Sequence, residues 1–306
     1  MNQQDTGPLV SIGLPSYNRP DGLKRALEQA VKQTYRNLEI IVSDNCSPDE
    51  ESIKNVLAPF MEKDKRIKYF RHDENRGAFF NFKYLLEKAT GEYFMWIADD
   101  DERHEKCIEI SLQLIGNAGG FFGAYNVKNR FHDIIIPNRV PTITENMPLH
   151  KRMFSFISFF PTVYIYGLYK RECLGFFLKE DLPFDYLDGY FTMYVLANYG
   201  LTVYPTEYAI TTLGINEESY VPKPFQKSDK RMFLYSPVIK KCSPLIWNNK
   251  QLNLFHKIFL LLYFRLAMLK QYITFEHPYK WPAWILNYGV RLPSRYIYRL
   301  IKRIRK

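Results

Sequence analysis

A chain of 306 residues, 46% hydrophobic and 16% aromatic with 23 Tyr and 23 Phe, can bury a large core, which excludes the disordered class. Its four cysteines, Cys46, Cys107, Cys173 and Cys242, are widely spaced with no Cys-x-x-Cys pair, which argues against a disulfide framework or a structural zinc site. The net charge of +10 is unevenly placed: residues 1–218 carry 24 Lys+Arg against 30 Asp+Glu, net −6, and residues 219–306 carry 18 against 2, net +16. A basic C-terminal part of this kind seeks an anionic surface.

The polar opening Met1-Asn2-Gln3-Gln4-Asp5 lacks the basic and apolar regions of a secretory leader, so a cytoplasmic protein is expected. Leu9 to Pro15 reads as a first strand, ended by the turn Ser16-Tyr17-Asn18-Arg19-Pro20. In the helix that follows, Leu23, Ala26, Leu27, Ala30 and Val31 recur at helical spacing and Asp21 is a candidate cap. Leu38 to Ser43 is a second strand that delivers Asp44-Asn45 at its carboxyl end. A helix from Pro48 to Phe60 leads to a third strand, Ile67 to Phe70. Glu74-Asn75-Arg76-Gly77 then opens a helix with a stripe of Phe79, Phe82, Leu85 and Leu86, for which Gly91 is the expected C-terminal cap. The apolar run Glu92 to Ala98 is a fourth strand, buried on both faces as in a parallel sheet. This alternation over residues 9–101 predicts right-handed βαβ crossovers. Neither Gly-x-Gly-x-x-Gly nor a Walker-type phosphate loop is present.

The fourth strand ends in Asp99-Asp100-Asp101-Glu102. Ligands of open α/β sheets sit outside the carboxyl ends of the strands, and adjacent carboxylates repel unless they share a cation. The triplet therefore suits Mg²⁺ or Mn²⁺ carrying a diphosphate; the plainer reading is an acidic turn that favours the start of a helix. Glu105 to Ile115 reads as a helix. Phe121 to Val127 and Phe131 to Ile136 read as strands joined by a short loop, an antiparallel addition to the sheet. Lys151 to Phe160 reads as a helix on the acceptor side, and Thr162 to Tyr169 as a further strand.

Four motifs in order are Pro15-Ser16-Tyr17-Asn18-Arg19, Val42-Ser43-Asp44-Asn45-Cys46-Ser47, Asn75-Arg76-Gly77, and Gly91-Glu92-Tyr93 leading into Asp99-Asp100-Asp101. Together they resemble the family 2 inverting glycosyltransferases of the GT-A fold, most closely over the first third of the chain and more loosely to about residue 215. The resemblance implies a GT-A type α/β fold, a Rossmann-like mostly parallel sheet flanked by helices, with a helical basic C-terminal extension. It implies a nucleotide-sugar site in which Pro15, Tyr17 and Arg19 lie beside the nucleotide and Asp44 hydrogen-bonds the base. Asn75 belongs to the same site, and Arg76 lies near the base or phosphates. The acidic turn would hold ribose and metal. Ala98 stands where the family commonly has the first Asp of Asp-x-Asp-Asp. Either Asp99 and Asp101 form a shifted metal motif, the preferred reading, or Asp100 is the ligand and Asp99 contacts sugar or ribose.

Phe184 to Phe191 carries Asp185 and Asp188 at the mouth of a helix running to Gly200, followed by a strand from Leu201 to Tyr204. Asp188 at this place resembles the family's catalytic base, with Asp185 as the fallback; on residue pattern alone it is an N-terminal cap. Thr211 to Arg231 reads as a long loop over the substrate.

These expectations divide the chain into a catalytic domain over 1–218 and a basic, aromatic-rich helical region over 219–306. Ile258 to Leu269, interrupted by Arg265, is shorter than the roughly 20 apolar residues a membrane span needs. Residues 277–306 hold eight Lys or Arg and no acid, with Trp281, Trp284, Tyr288, Tyr296 and Tyr298 interleaved. Ile297, Leu300, Ile301 and Ile304 mark one helical face of that stretch. Such helices lie in anionic bilayer interfaces, with about 1 kcal/mol from each basic side chain. The chain lacks a nucleic-acid-binding motif, and no nucleic-acid partner is expected. The expectation is transfer of a sugar from a nucleoside-diphosphate donor, foremost a UDP-sugar, to a lipid-linked or oligosaccharide hydroxyl at the inner face of the cell membrane, in bacterial surface-polysaccharide synthesis. A sugar nucleotidyltransferase and a non-catalytic membrane adaptor are the rivals.

Overall fold

The apolar runs that read as central strands are central. In a computed structural model of the chain, Val10–Ser16 forms β1 and Leu38–Asp44 forms β2, with every residue of β2 buried and all of β1 except Pro15. The structure describes residues 7–99, 101–123, 125–129, 134–137, 141–180, 187–204, 211–215 and 237–276. Asp100, Asp185, the segment 216–236 and the basic segment 277–306 lie outside the described residues.

The helices in chain order are α1 (Pro20–Lys32), α2 (Glu50–Lys63), α3 (Ala78–Lys88), α4 (Cys107–Leu114), α5 (Leu149–Phe159), α6 (Gly175–Leu178), α7 (Leu187–Asn198), α8 (Pro237–Trp247) and α9 (Leu254–Glu276). The further strands are β3 (Ile67–Arg71), β4 (Tyr93–Trp96), β5 (Asp101–Arg103), β6 (Gly120–Phe122), β7 (Tyr125–Asn129), β8 (Ile134–Pro137), β9 (Leu168–Lys170), β10 (Leu201–Val203) and β11 (Thr211–Ile215). One sheet has the order β10-β6-β9-β4-β1-β2-β3. It is parallel except for β9, which runs against β4 and β6.

Strand side chains alternate between the two faces, and so do the cores. Val10, Ile12, Leu14, Ile40, Val42 and Met95 meet α1, α2 and α4 on one face. Ile41, Phe94 and Trp96 meet α3, α5, α7, α8 and α9 on the other. Trp96 is fully buried there, donating Nε1 to the Phe82 carbonyl at 3.2 Å with its ring 5.6 Å from that of Phe191. The edgewise ring contact fastens α7 to the carboxyl end of β4.

The local readings fail in several places. The helix expected to close at Gly91 ends at Lys88 with Ala89 as its cap. Gly91 is instead a place of close approach: a Cβ there would come 2.7 Å from the Leu9 carbonyl. Asp21 lies in the first turn of α1 and Arg19 is its N-cap residue, with no side-chain cap bond. Thr162–Tyr166 is a 3-10 turn, because Gly167 N–H and the Tyr169 hydroxyl both donate to the Tyr164 carbonyl; only Leu168–Lys170 remains extended. β6 joins the large sheet, whereas β7 and β8 pair antiparallel in a second sheet of order β5-β11-β7-β8. β11, read as loop, runs antiparallel to β5 and parallel to β7. The last residue of the acidic triplet is thereby built into a strand.

Candidate active site

Because β1, β2, β3 and β4 are parallel neighbours, the segments leaving them gather at one rim. Two of these segments turn through left-handed residues, Asn18 with φ 55° and Cys46 with φ 63°. Positive φ is uncommon outside glycine and persists where surroundings impose it. Here the surroundings are reciprocal bonds between the turns. Asn18 N–H donates to Ser47 Oγ at 2.8 Å, and Asn45 N–H donates to the Ser16 carbonyl at 2.9 Å.

Asp44 is fully buried beneath this junction. One of its oxygens accepts from Ser47 N–H at 3.0 Å and from Ser47 Oγ; the other accepts from Tyr69 at 3.3 Å and from Arg71. Burial and the Asp44 charge push the Tyr69 phenol up to about 12. Both Asp44 oxygens thus already have partners within the chain, and a base reaching them would displace Arg71 or Tyr69. Asn45, which the sequence reading passed over as a site residue, ties in the next segment. Its Nδ2 donates to Asn75 Oδ1 at 2.8 Å and its Oδ1 accepts from Arg76 N–H at 3.0 Å. The Arg76 side chain is half exposed, its guanidinium 3.7 Å from the Phe80 ring centroid and 3.9 Å from Glu74. Tyr17 is exposed and Pro15 partly so, at the head of the same rim.

The acidic turn is held from helix α1. Arg19 Nη1 is 2.6 Å from Asp99 Oδ1, with Asp99 only 12% exposed. Gln29 acts as a surrogate strand neighbour: its Nε2 donates to the Asp101 carbonyl at 3.1 Å and its Oε1 accepts from Arg103 N–H at 2.6 Å. Gln33, one turn on, donates to the His104 carbonyl at 3.0 Å. The available signal for these two was a pair of glutamines four residues apart beside the apolar stripe of α1. The Asp101 side chain is buried, 3.7 Å from Arg103 Nη2, which also donates to the Trp96 carbonyl at 3.3 Å.

Asp99 faces the Arg19 guanidinium at 2.6 Å and the buried Asp101 faces Arg103 at 3.7 Å, so a divalent ion held by these two carboxylates would take the place of those contacts. Among the described residues no three His, Cys, Asp or Glu side chains cluster as metal ligands.

Asp188 stands apart from these contacts, in the first turn of α7. The residue as a whole is partly exposed, its carboxyl is surrounded by protein, and burial pushes its pKa up to about 6. Its carbonyl accepts from Thr192 Oγ1 at 3.0 Å. The packing of α7 on Trp96 brings this element to the β4 end of the rim. Among the described residues, cavities of about 410 and 250 Å³ are lined away from these groups, by Pro8, Thr34 and Tyr35 and by Thr144, Glu145 and Thr202.

A mostly parallel sheet with charged turns gathered at its carboxyl rim is the architecture of GT-A sugar-transferring enzymes. Residues 11–167 match Glycosyl transferase family 2, and the chain belongs to that family. It is 36% identical over 108 residues to an uncharacterized glycosyltransferase of Rickettsia felis, covering 35% of this chain and 17% of that protein. It is 37% identical over 95 residues to a putative colanic acid biosynthesis glycosyl transferase, WcaA, of Escherichia coli, covering 31% and 33%. A GalNAc(5)-diNAcBac-PP-undecaprenol beta-1,3-glucosyltransferase of Campylobacter jejuni is 36% identical over 96 residues, covering 31% and 30%. The matches thus span between 17% and 33% of the length of these curated relatives. In fold, the chain is similar to S. aureus TarS 1-349 in complex with UDP-GlcNAc, with a TM-score of 0.60, 18% identity and coverage of 88% and 74%. It is also similar to the mannosyltransferase PcManGT of Pyrobaculum calidifontis in complex with GDP-Man and Mn²⁺, with a TM-score of 0.51, 15% identity and coverage of 96% and 82%.

Proposed function

We propose that the protein transfers a glycosyl group from a nucleoside-diphosphate sugar to an acceptor hydroxyl with inversion at the anomeric carbon. The observation that carries this reading is the cationic and acidic rim around Arg19 and Asp99, within a family 2 chain, with a carboxyl of raised pKa on the adjoining helix.

Arg19 and the exposed Arg76 are the cations available to a diphosphate, and a guanidinium matches phosphate oxygens in a planar fork. Donor entry at Arg19 would exchange an internal carboxylate partner, Asp99, for phosphate, leaving Asp99 to accept from ribose or sugar hydroxyls. Asp44, with Ser47, shapes the turn beside the base, and Asn45 and Asn75 set the position of Arg76.

Asp188 is the proposed base. A carboxyl titrating at about 6 is ionised at neutral pH yet more basic than an ordinary aspartate, as general-base catalysis requires. The acceptor oxygen forms a bond to the anomeric carbon from the face opposite the diphosphate, the carbon–oxygen bond to the donor phosphate breaks with its electron pair, and the proton passes to Asp188. Asp185 is the fallback for that role. No step is drawn through a divalent ion; Mn²⁺ or Mg²⁺ at the acidic turn, held by Asp99 and Asp101 with Asp100 as the alternative, is part of the proposal, supported by the Mn²⁺ in the complex of the similar mannosyltransferase.

A UDP-sugar donor is favoured by the UDP and UDP-GlcNAc complexes of the similar fold, and a lipid-linked acceptor in surface-polysaccharide assembly by the names of the bacterial relatives. The test is a titration of UDP- and GDP-sugars followed by product analysis with Asp188→Asn. Donor binding with loss of transfer in the variant is expected. Full transfer by the variant rejects the base, binding of no nucleotide sugar supports the adaptor, and pyrophosphate release from a nucleoside triphosphate supports the nucleotidyltransferase.

A further inference from the structure

Helix α9 is apolar on two sides. Leu260, Phe264 and Met268 are buried in the core shared with α5 and α8. That face is fixed by ring contacts of Phe154 with Phe259 and Tyr263 and by a 3.0 Å hydrogen bond between Ser158 and Tyr263. On the other side Leu254, Ile258, Leu262 and Leu266 recur every fourth residue, 47% to 63% exposed, with Phe255 beside them at 52%. Residues four apart share a helix face, so these side chains form one strip, about 18 Å long at 1.5 Å per residue. A helix whose packing were complete would turn polar residues outward here. Exposed strips of this kind mark a surface that meets something apolar.

Three occupants are conceivable, and charge separates them. No described helix is long and apolar enough to cross a membrane, so the strip lies along a surface and does not pass through one. A second copy would bring two regions of net +16 together, 18 Lys+Arg against 2 Asp+Glu in each over residues 219–306, and like charge opposes that contact. The exposed Arg265 within the strip and the eight cations of residues 277–306 that follow α9 instead match an anionic partner. An anionic lipid surface is both apolar beneath its headgroups and negative at them. We infer that the outward face of α9 seats in the interface of an anionic bilayer, with Leu254, Ile258, Leu262 and Leu266 entering the acyl boundary and the basic C-terminal part drawing it there.

The test is sedimentation of the full chain with vesicles of phosphatidylglycerol and phosphatidylethanolamine, compared with phosphatidylcholine alone. Binding to the anionic vesicles that weakens with salt is expected. The triple variant Ile258→Glu, Leu262→Glu, Leu266→Glu is expected to bind about tenfold more weakly or worse, with an unchanged melting temperature because none of the three is buried. The triple serine variant, which adds no charge, is expected to shift in the same direction. Asp188→Asn is expected to bind vesicles like the wild type, so failure of the transfer reading and failure of this one are read separately. Unaltered vesicle binding by either strip variant overturns the inference, as does equal binding to phosphatidylcholine. A dimer in analytical ultracentrifugation that the strip variants abolish overturns it in favour of a second copy.

Discussion

Arg19 and Asp99, 80 residues apart in sequence, meet at 2.6 Å and join the turn after β1 to the acidic turn after β4. Both are partly buried, so the bond resembles the charge-assisted hydrogen bonds that contribute about 1.5–3 kcal/mol. The consequence differs for the two partners. Asp99→Asn leaves Arg19 available and is expected to keep phosphate affinity while weakening binding of the whole donor. Arg19→Ala is expected to weaken UDP and UDP-sugar alike, by about tenfold or more for a lost charged contact. Isothermal titration with UDP and a UDP-sugar checks both; identical losses for the two variants would contradict the division of roles.

Asp188 sets a pH dependence in two observables. Its folded pKa of about 6 lies above its ordinary value of 3.8, so the folded state binds the proton more tightly than the unfolded chain. Stability therefore falls as pH rises from about 4 to about 6 and levels off above, at a cost of about 3 kcal/mol. Asp188→Asn is expected to melt higher than the wild type at pH 8 and equally at pH 4, while losing transfer. In the wild type kcat/KM should rise through an apparent pKa near 6. A flat profile between pH 5 and 7, measured with donor saturating, removes Asp188 from the reaction.

Gly22 permits the approach of α1 to the acidic turn. A Cβ at this position would stand 2.8 Å from the Asp99 carbonyl oxygen and 3.1 Å from Asp99 Cβ. Alanine is the better helix former by about 1 kcal/mol, yet the obstruction is backbone and cannot swing away. Gly22→Ala is expected to weaken donor binding with little loss of helix content by circular dichroism. Wild-type donor affinity in this variant would show that the position of the turn does not matter.

Glu39 holds the opposite end of the strands together and is predicted to control acid stability. Burial alone would raise its pKa, but hydrogen bonds from Lys68, Ser11 and Thr90 outweigh burial and hold it at about 2. The contribution is present above the ordinary value of 4.5 and is lost as pH falls toward 2. Glu39→Gln is expected to cost on the order of 3 kcal/mol at pH 7 and progressively less below pH 4.5. Urea unfolding at pH 7 and pH 3 measures the difference; an equal deficit at both would mean that the charge plays no part.

The chain alone determines the strand and helix alternation of residues 9–101, because apolar runs and 3.6-residue stripes are local signals that survive burial. It determines as well that the motifs of Asn18, Asp44, Arg76 and Asp99 fall at strand ends, and so at one rim of a parallel sheet. Tertiary structure decided what each of those groups touches. Asp44 meets Arg71 and Ser47, Asp99 meets Arg19, and Asp101 turns inward toward Arg103. It also drew Asp101 into a second sheet with Thr211–Ile215, and bent Thr162–Tyr166 into a 3-10 turn. The Asp44–Arg71 and Asp99–Arg19 pairs and the pairing of Asp101 with Leu213 are not written in local spacing, since each depends on a partner tens of residues away. The same holds for α9: the sequence marks Ile258 to Leu269 as an apolar stretch interrupted by Arg265, and only its packing on α5 revealed which half was left facing outward.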